Sequence, residues 1–421
     1  MAMAEPEGGP KESFRPAMLI YDTRYRAITI QVLVLAGVVA LIGWLVNNTL
    51  HNLEILGKPL GFGFLTEPAS YDINQRLIEY NSRDTHLRAA FVGLLNTLLV
   101  AAAGCVLATL IGLFVGVLRL SKNWLVARLM TVYVEGFRNV PVLLWILLTM
   151  AILIDTAPRP AAFRKGEASM LFDAVAITNR GIYIPEPVFS RSLGNIHLFG
   201  DSSLRFDVSL DLLAILAALV AGIVASIFVR RWADRVQEET GDRPTTWHIR
   251  TALVVVPPVL VLWALGFHLV PPELKGFNFK GGIHLRNSFI ALWLALSLYT
   301  AAFIAEIVRA GIQSVPKGQT EAALALGFSG GQTMRLVILP QALRVIIPPL
   351  ISQYLNLTKN SSLAIAVGYM DITGTLGGIT LNQTGRELES IMLLMLVYLA
   401  ISLSISSVMN WYNKRVKLKE R

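Results

Sequence analysis

The chain has 421 residues, of which 54% are hydrophobic and only 15% are charged. Soluble domains carry about 25% charged residues, so this composition excludes an ordinary soluble domain and indicates a chain that lies mostly in lipid. The net charge of +9 does not indicate nucleic-acid binding, because the basic residues flank apolar segments, as they do at the cytoplasmic ends of membrane spans. The single cysteine, Cys105, excludes a disulfide framework and a cysteine-based metal site.

Eight segments are apolar and long enough to cross a bilayer, which takes about 20 residues. In chain order they lie at about 27–48, 90–118, 139–155, 209–229, 250–270, 287–308, 342–357 and 388–411. The first follows a polar tail and has no prompt cleavage site, so it is predicted to be a retained anchor rather than a signal peptide. An amphipathic stretch at 123–138 is predicted to lie at the membrane interface, and Pro348-Pro349 interrupts the seventh segment. The sequence therefore predicts an all-α membrane protein with about eight transmembrane helices.

Clusters of Lys and Arg indicate which ends of the spans face the cytoplasm. They lie before the first span, between the second and third, after the fourth and after the eighth, and they share one side if both termini are cytoplasmic. This topology places the tail 1–26 and the basic tail 412–421 in the cytoplasm. It predicts that 49–89 and 156–208 are periplasmic loops and that 309–341 is cytoplasmic.

The segment SGGQ at 329–332 is close to the signature with which an ABC-type ATPase clamps ATP. Such an ATPase also needs a phosphate-binding loop of the form G-x-x-x-x-G-K-[ST], and the sequence has none. The nearest match, 112–119, lacks the Lys and the Ser/Thr and lies within an apolar span, where Gly112 and Gly116 are predicted to let two helices approach closely. The sequence therefore predicts a chain that is not itself an ATPase.

A longer pattern surrounds this segment, because the run EAA at 321–323 is followed by Gly327 and by Pro340. The Ala-rich run predicts a short helix that Gly327 can end in a left-handed conformation, and Pro340 suits the start of the next helix. The whole pattern resembles the EAA loop of ABC importer permeases. The resemblance implies that 313–340 is a cytoplasmic coupling loop. The residues that would dock onto an ATPase subunit are Glu321, Ala322, Ala323 and Gly327.

Further segments resemble permeases for polar amino acids. They are YVEGFRNVPVLLWIL at 133–147, the span and its approach to the loop at 299–329, NLTKNSSLAIAVG at 356–368, and GLLNTLLVA at 93–101. The chain length, the extra spans and the inserted external loop are most similar to the larger permease subunit of general L-amino-acid importers. The resemblance implies a type I ABC importer permease fold. Its core would comprise 90–155 and 287–411, with one extra N-terminal span at 27–48 and an inserted pair of spans at 209–286.

The same resemblance implies a non-catalytic transport subunit of the bacterial inner membrane. Its expected partners are two copies of an ABC ATPase subunit, a second and related permease subunit, a periplasmic amino-acid-binding protein and membrane lipid, but no nucleic acid. ATP and Mg²⁺ would bind to the ATPase, with no cofactor on this chain.

Ionisable and polar residues at membrane depth are candidates for the substrate path, because they are costly there and usually face protein or water. Lys359-Asn360-Ser361-Ser362 follow the seventh span and predict a helix break of the kind that forms substrate sites in transporters. The path candidates are Glu306, Arg309, Lys359, Asn360, Ser361, Ser362, Asn96 and Thr97. The i,i+3 pairs, which can also pair with themselves on one helix face, are Glu306 with Arg309 and Glu135 with Arg138. The second pair is a candidate gate or structural ion pair.

The six histidines are scattered without metal-ligand spacing, so no metal site is predicted.

Three alternatives stay open from the sequence. The EAA loop is shared by importers of other small solutes, such as opines, phosphate or molybdate, and only 133–147 and 299–329 favour amino acids. A secondary transporter or channel would need no ATPase and would arrange ionisable residues as a proton relay. A membrane-embedded enzyme would need a catalytic motif on a span. The sequence shows neither a relay nor such a motif.

Overall fold

The computed structural model describes residue 20, residues 23–200 and residues 202–416. Within this part of the chain, eight helices are long and apolar enough to cross a membrane, which confirms the predicted helical membrane fold. Most of the predicted tail 1–26 lies outside the described residues, and so does the part of the tail 412–421 that follows residue 416. The helices are α1 Thr23–Ile55, α2 His86–Leu118, α3 Trp124–Asn139, α4 Val142–Thr156, α5 Pro160–Arg164, α6 Leu210–Thr240, α7 Trp247–Ala264, α8 Asn287–Gln313, α9 Lys317–Ala325, α10 Gly330–Thr333, α11 Leu339–Asn360, α12 Ile372–Gly374, α13 Leu381–Thr384 and α14 Glu387–Val416.

Several helix ends differ from the predicted ones. α6 continues to Thr240 rather than ending near residue 229, because its polar last turns stay helical until Gly241 adopts a left-handed conformation (φ +79°). α7 ends at Ala264, because Gly266 is also left-handed (φ +66°) and the chain then becomes a strand. α11 runs through Pro348-Pro349 without ending there, since each proline removes only one backbone hydrogen bond.

The chain divides into two structural units after Phe62. The first contains α1, and the second contains all the later helices. In the second unit α8 is the most buried of the long helices. It packs against α2, α4 and α11 around one apolar core, whose fully buried members include Val100, Ala108, Ile146, Leu292, Leu296, Ile304 and Leu357.

The contact between α2 and α8 depends on two glycines. A Cβ atom on Gly112 would lie 2.6 Å from the Cβ of Ile304 and 3.0 Å from the carbonyl oxygen of Ala301. A Cβ atom on Gly116 would lie 2.8 Å from the carbonyl oxygen of Ala305. Because atoms cannot approach this closely without displacement, only glycine permits the observed separation of the two backbones. The predicted function of Gly112 and Gly116 in helix packing is confirmed.

The segments outside the spans contain nine short strands in the described part of the chain, which the prediction of polar loops did not include. They are β1 Ala176–Thr178, β2 Gly181–Ile184, β3 Glu186–Phe189, β4 Asn195–Leu198, β5 Phe206–Ser209, β6 Phe267–Val270, β7 Glu273–Lys275, β8 Asn278–Lys280 and β9 Ile283–Arg286. They form one sheet of order β1-β2-β9 and three antiparallel pairs, β3-β6, β4-β5 and β7-β8. The segment after α4 and the segment after α7 are therefore paired with each other through β2-β9 and β3-β6.

Within the second unit, buried polar contacts hold the segment 63–85, which precedes α2. Arg88 is 3% exposed, and its guanidinium donates hydrogen bonds to the carbonyl oxygens of Glu79 and Arg205. The hydroxyl groups of Tyr71 and Thr380 lie 3.1 Å apart. These contacts satisfy polar groups that would otherwise be costly to bury.

Gly116→Ala is expected to lower the free energy of unfolding by about 1–3 kcal/mol, because the added methyl group overlaps the carbonyl oxygen of Ala305 and forces α2 and α8 apart. Gly43→Ala in α1 is the matched control, since a Cβ there meets no atom within 4 Å and alanine favours a helix. Thermal melting in detergent measures both effects. Equal melting temperatures for the two variants would contradict the packing function of Gly116.

Candidate functional site

The segment with the EAA run folds as a short helix with a tight end. α9 ends at Ala325 with Leu326 as its C-cap, and Gly327 has φ +82°. The N–H of Phe328 donates to the carbonyl oxygen of Ala323 (3.1 Å), and the N–H of Gly327 donates to that of Leu324 (2.9 Å). This pair of bonds is the Schellman motif, which a left-handed glycine completes. The predicted left-handed end at Gly327 is confirmed.

The SGGQ segment begins a helix. Ser329 is the N-cap of α10, and its hydroxyl accepts a hydrogen bond from the N–H of Gln332 (3.4 Å). The side chain of Gln332 accepts one in return from the N–H of Ser329 (2.9 Å). This reciprocal capping box explains why these residue types occur here without any nucleotide. A π-helical turn at Met334–Ile338 follows, and Pro340 lies in the first turn of α11, as predicted.

The surface of α9 combines small and apolar residues. Glu321 and Ala322 are exposed, whereas Ala323 is buried beneath them. Leu324 is 52% exposed and Leu326 is 77% exposed. The two leucines therefore add exposed apolar surface to the small side chains of this loop. We keep the name coupling loop for the whole segment 313–340, whose exposed surface includes α9 and the turn 326–329.

An ion cluster lies just before this loop. The Glu306 carboxylate accepts hydrogen bonds from the guanidinium of Arg119, which follows α2, and from that of Arg309 on α8. Arg309 also donates to the side chain of Gln313 (2.7 Å). The Arg119 side chain is only 9% exposed. The cluster therefore connects the ends of α2 and α8 next to the coupling loop.

The two i,i+3 pairs differ in the structure. Glu306 and Arg309 form the ion pair that their spacing allows. Glu135 and Arg138 do not pair with each other, which corrects the structural ion pair predicted for them. Glu135 accepts a hydrogen bond from the Asn139 amide, and the Arg138 guanidinium lies 5.4 Å from the centre of the Phe303 ring. A cation–π contact of this kind competes with an exposed ion pair, which contributes little.

Asn96 and Thr97 are fully buried on α2. They contact the irregular segment 361–384 between α11 and α14, which we call the broken segment. The Asn96 amide donates to the carbonyl oxygen of Met370 (2.9 Å), and the Thr97 hydroxyl accepts from the N–H of Ile372 (3.0 Å). Both side chains therefore satisfy backbone groups that lie outside a regular helix. The structure places them against this segment of the chain.

The chain breaks where the polar run 359–362 predicts a break. α11 ends at Asn360, a 3-10 helix spans Ser361–Val367, and Gly368 is left-handed (φ +68°). Lys359 and Ser362 line a cavity of about 450 Å³ together with Thr373 and Tyr398. Ser361 is buried instead and donates to the carbonyl oxygen of Thr358 (2.7 Å). Lys359 and Ser362 therefore belong to a cavity wall and Ser361 belongs to the core, whereas the half-buried Asn360 is the last residue of α11.

Sequence reasoning missed Asp371, which is fully buried between the seventh and eighth spans. Its carboxylate accepts hydrogen bonds from the N–H of Gly374 (2.8 Å) and the hydroxyl of Tyr398 (3.2 Å). The signal in the sequence was a single acidic residue amid apolar and small residues at 363–381.

Comparison with known proteins identifies the family. A family model described as the binding-protein-dependent transport system inner membrane component matches residues 249–418. The glutamate/glutamine/aspartate/asparagine transport system permease protein BztB of Rhodobacter capsulatus is 58% identical over the whole of both chains. The putative amino-acid ABC transporter permease protein YhdX of Escherichia coli is 46% identical over 94% of this chain and 95% of its own. The chain belongs to the amino-acid ABC transporter permeases.

A third permease of this family supports the general L-amino-acid type. The general L-amino acid transport system permease protein AapQ of Rhizobium johnstonii is 45% identical over 99% of this chain and 98% of its own length. As a member of the family, this permease is a multi-pass inner-membrane protein and a non-catalytic transport subunit. The family match at 249–418 includes both the coupling loop and the broken segment.

Glu306→Gln is expected to destabilise the permease by about 1.5–3 kcal/mol, because it leaves the buried guanidinium of Arg119 beside Arg309 without a carboxylate. Glu135→Gln is the matched control and should leave stability unchanged, since that carboxylate is exposed. Melting temperatures of the purified permease measure the difference. A stability of Glu306→Gln equal to that of the control would mean that the cluster does not join α2 to α8.

Proposed function

We propose that this permease forms the membrane path of a binding-protein-dependent importer for polar L-amino acids, driven by ATP hydrolysis on separate ATPase subunits. The coupling loop is the observation that carries the proposal. It presents Ala322, Leu324 and Leu326 on a capped, well-defined helix, and a chain of this family needs such a contact to use energy from an ATPase. The names of BztB and AapQ, which specify polar and general L-amino acids, support the substrate class.

The proposed orientation has both termini in the cytoplasm. The coupling loop then lies on the ATPase side, and the strands β1–β9 lie in the periplasm, where a binding protein delivers the solute. The clusters of Lys and Arg at the inner ends of the spans support this orientation. Long external segments are exempt from this charge rule, so the Arg and Lys residues of 156–208 do not oppose it.

Transport then follows by alternating access. ATP binding draws the two ATPase subunits together and displaces the coupling loop, with Glu321, Ala322, Ala323 and Gly327 at the docking surface. α9 is joined to α8 through only 314–316 and to α11 through 326–338, so its displacement is transmitted to both helices. The Glu306 cluster extends the connection to α2. Rocking of these helices opens the path first outward and then inward.

The substrate path is proposed to run beside the broken segment. Lys359 and Ser362 line a cavity there, and Asn360 and Ser361 form the break itself. Arg309 and Glu306 would lie at its inner end. Asn96 and Thr97 would hold the broken segment in place rather than contact solute, because the Asn96 amide group donates to its backbone and the Thr97 hydroxyl accepts from it.

The importer is proposed to contain two ATPase subunits, a second and related permease, and a periplasmic amino-acid-binding protein. The cavity at Lys359 is half open at the surface of this chain, which supports closure of the path by another permease chain. ATP and Mg²⁺ would be bound by the ATPase subunits, and this chain would bind no cofactor.

Purification from native membranes in mild detergent tests the assembly. An ATPase and a second permease are expected to co-purify, and proteoliposomes containing the assembly should take up labelled polar amino acids only with ATP and the binding protein. Uptake of phosphate, molybdate or an opine instead would overturn the substrate class. Uptake without ATP would overturn the coupling mechanism in favour of a secondary transporter.

Gly327→Ala should reduce ATP-dependent uptake strongly while the permease stays inserted, because an alanine at φ +82° is strained by about 1–2 kcal/mol and shifts the docking helix. Gly331→Ala, four residues away, meets no atom within 4 Å and needs no left-handed backbone. It is the matched control and should transport normally. Normal uptake by Gly327→Ala at equal abundance in the membrane would contradict the coupling function of this turn.

A further inference from the structure

A polar cavity lies at the end of α8 opposite the coupling loop. Its volume is about 370 Å³, within the range of about 300–1,000 Å³ that is typical of small-molecule sites. Met150 and Ile154 of α4 and Val367 of the 3-10 helix form its apolar side. Its polar side is formed by Asn179, Arg180, Asn278, His284, Arg286 and Asn287. We call it the outer cavity.

The outer cavity has an uncompensated positive charge. No acidic residue lines it, and within the described residues neither Arg180 nor Arg286 forms an ion pair. The guanidinium of Arg286 donates to the Asn74 side chain (3.2 Å), and that of Arg180 donates to the carbonyl oxygen of Phe277 (3.4 Å). Burial lowers the pKa of His284, so the charge comes from the two arginines. Most of their N–H groups remain available to an anion.

Two polar atoms beside the outer cavity are buried and form no hydrogen bond with any other described residue. They are Nε of Arg286 and Oδ1 of Asn179. Because both atoms are shielded from the cavity, contacts to a solute fall to the terminal guanidinium nitrogens of Arg180 and Arg286. A carboxylate suits these nitrogens, since a guanidinium can donate two parallel hydrogen bonds to it.

The cavity walls are held in place before any solute arrives. β2 pairs with β9 so that Gly181 lies opposite Arg286. The Asn287 amide donates to the carbonyl oxygen of Asn179 (2.7 Å), and the His284 ring stacks on Tyr183 at 4.1 Å. These contacts fix the backbone beside both arginines. A rigid site loses less entropy when it binds a ligand.

The position of the outer cavity connects it to the path. Gly368 lines the outer cavity and also a second cavity of about 560 Å³, which Tyr369, Gly374 and Gly378 of the broken segment line on the other side. The outer cavity therefore borders the chain at Gly368, directly after the 3-10 helix Ser361–Val367. The apolar side chains Met150, Ile154 and Val367 distinguish this cavity from a flat polar surface that only docks a protein.

We propose that the outer cavity is an entry site that binds the carboxylate of a free amino acid through Arg180 and Arg286. The proposal rests on the proposed import of polar amino acids and adds a site formed partly by the inserted strands. It predicts that the permease itself recognises the solute after the binding protein releases it.

The test uses the assembled importer in lipid nanodiscs without binding protein, and L-glutamate as the probe. Millimolar L-glutamate should raise the melting temperature of the wild type above that in sodium chloride of equal ionic strength. Arg286→Gln and Arg180→Gln should each weaken the apparent affinity about tenfold or more, because each removes a charge-assisted hydrogen bond. Arg191→Gln is the matched control on the same external unit, where Arg191 is exposed and outside the cavity.

No glutamate response in the wild type, or an equal response in Arg286→Gln and Arg180→Gln, would overturn the entry site. If Arg286→Gln does not assemble, Arg180→Gln alone decides, because its side chain is exposed. If both variants lose the stimulation of ATP hydrolysis by the binding protein but keep the glutamate response, the two arginines contact the binding protein instead of the solute. That result would also overturn the entry site. ATP-dependent uptake by the wild type is measured in parallel. If the wild type shows no ATP-dependent uptake, the proposed function is overturned. If the wild type shows uptake and the glutamate response of Arg286→Gln and Arg180→Gln is unchanged, only the entry site is overturned.

Discussion

The close contact between α2 and α8 determines where the other parts of the permease lie. Lipid gives no hydrophobic driving force for helix association, so two spans hold together by close packing and hydrogen bonds. Gly112 and Gly116 permit that packing. At one end of the contact, Arg119 reaches Glu306 beside the coupling loop. At the other end, Asn96 and Thr97 of the same helix α2 reach the broken segment. One pair of helices thus positions both functional ends.

The polar residues at membrane depth are explained mainly by the broken segment. Backbone groups outside a regular helix cannot face lipid without hydrogen-bond partners. Asn96 and Thr97 supply such partners to Met370 and Ile372, and Asp371 caps the short helix α12. Their burial is therefore a condition for the break. Lys359 differs, because it faces a cavity and is exposed.

Hydropathy and turn chemistry predicted the eight spans and the end of α9, because both are local properties of the sequence. Glycine at 327 and the capping box at 329–332 each require only neighbouring residues. The external strands were not predicted, since they are only three or four residues long. Two of their five pairings, β2-β9 and β3-β6, also join distant parts of the chain, as Tyr183 pairs with His284. The pairing of Glu135 with Arg138 was wrong for a related reason. The i,i+3 spacing shows that Glu135 and Arg138 can pair, but it does not show that the Phe303 ring on α8 competes for the Arg138 guanidinium.

The inserted strands and the coupling loop are connected by one helix. α8 begins at Asn287, directly after β9 and beside the outer cavity, and it ends at Gln313, just before α9. A helix of 27 residues spans about 40 Å, which exceeds the hydrocarbon thickness of a bilayer. α8 is also the most buried span. Under the proposed coupling, a displacement of the coupling loop would reach Arg286 and the wall of the outer cavity through this helix. The β2-β9 pair directly before α8 would then place the proposed entry site on the helix that the ATPase displaces.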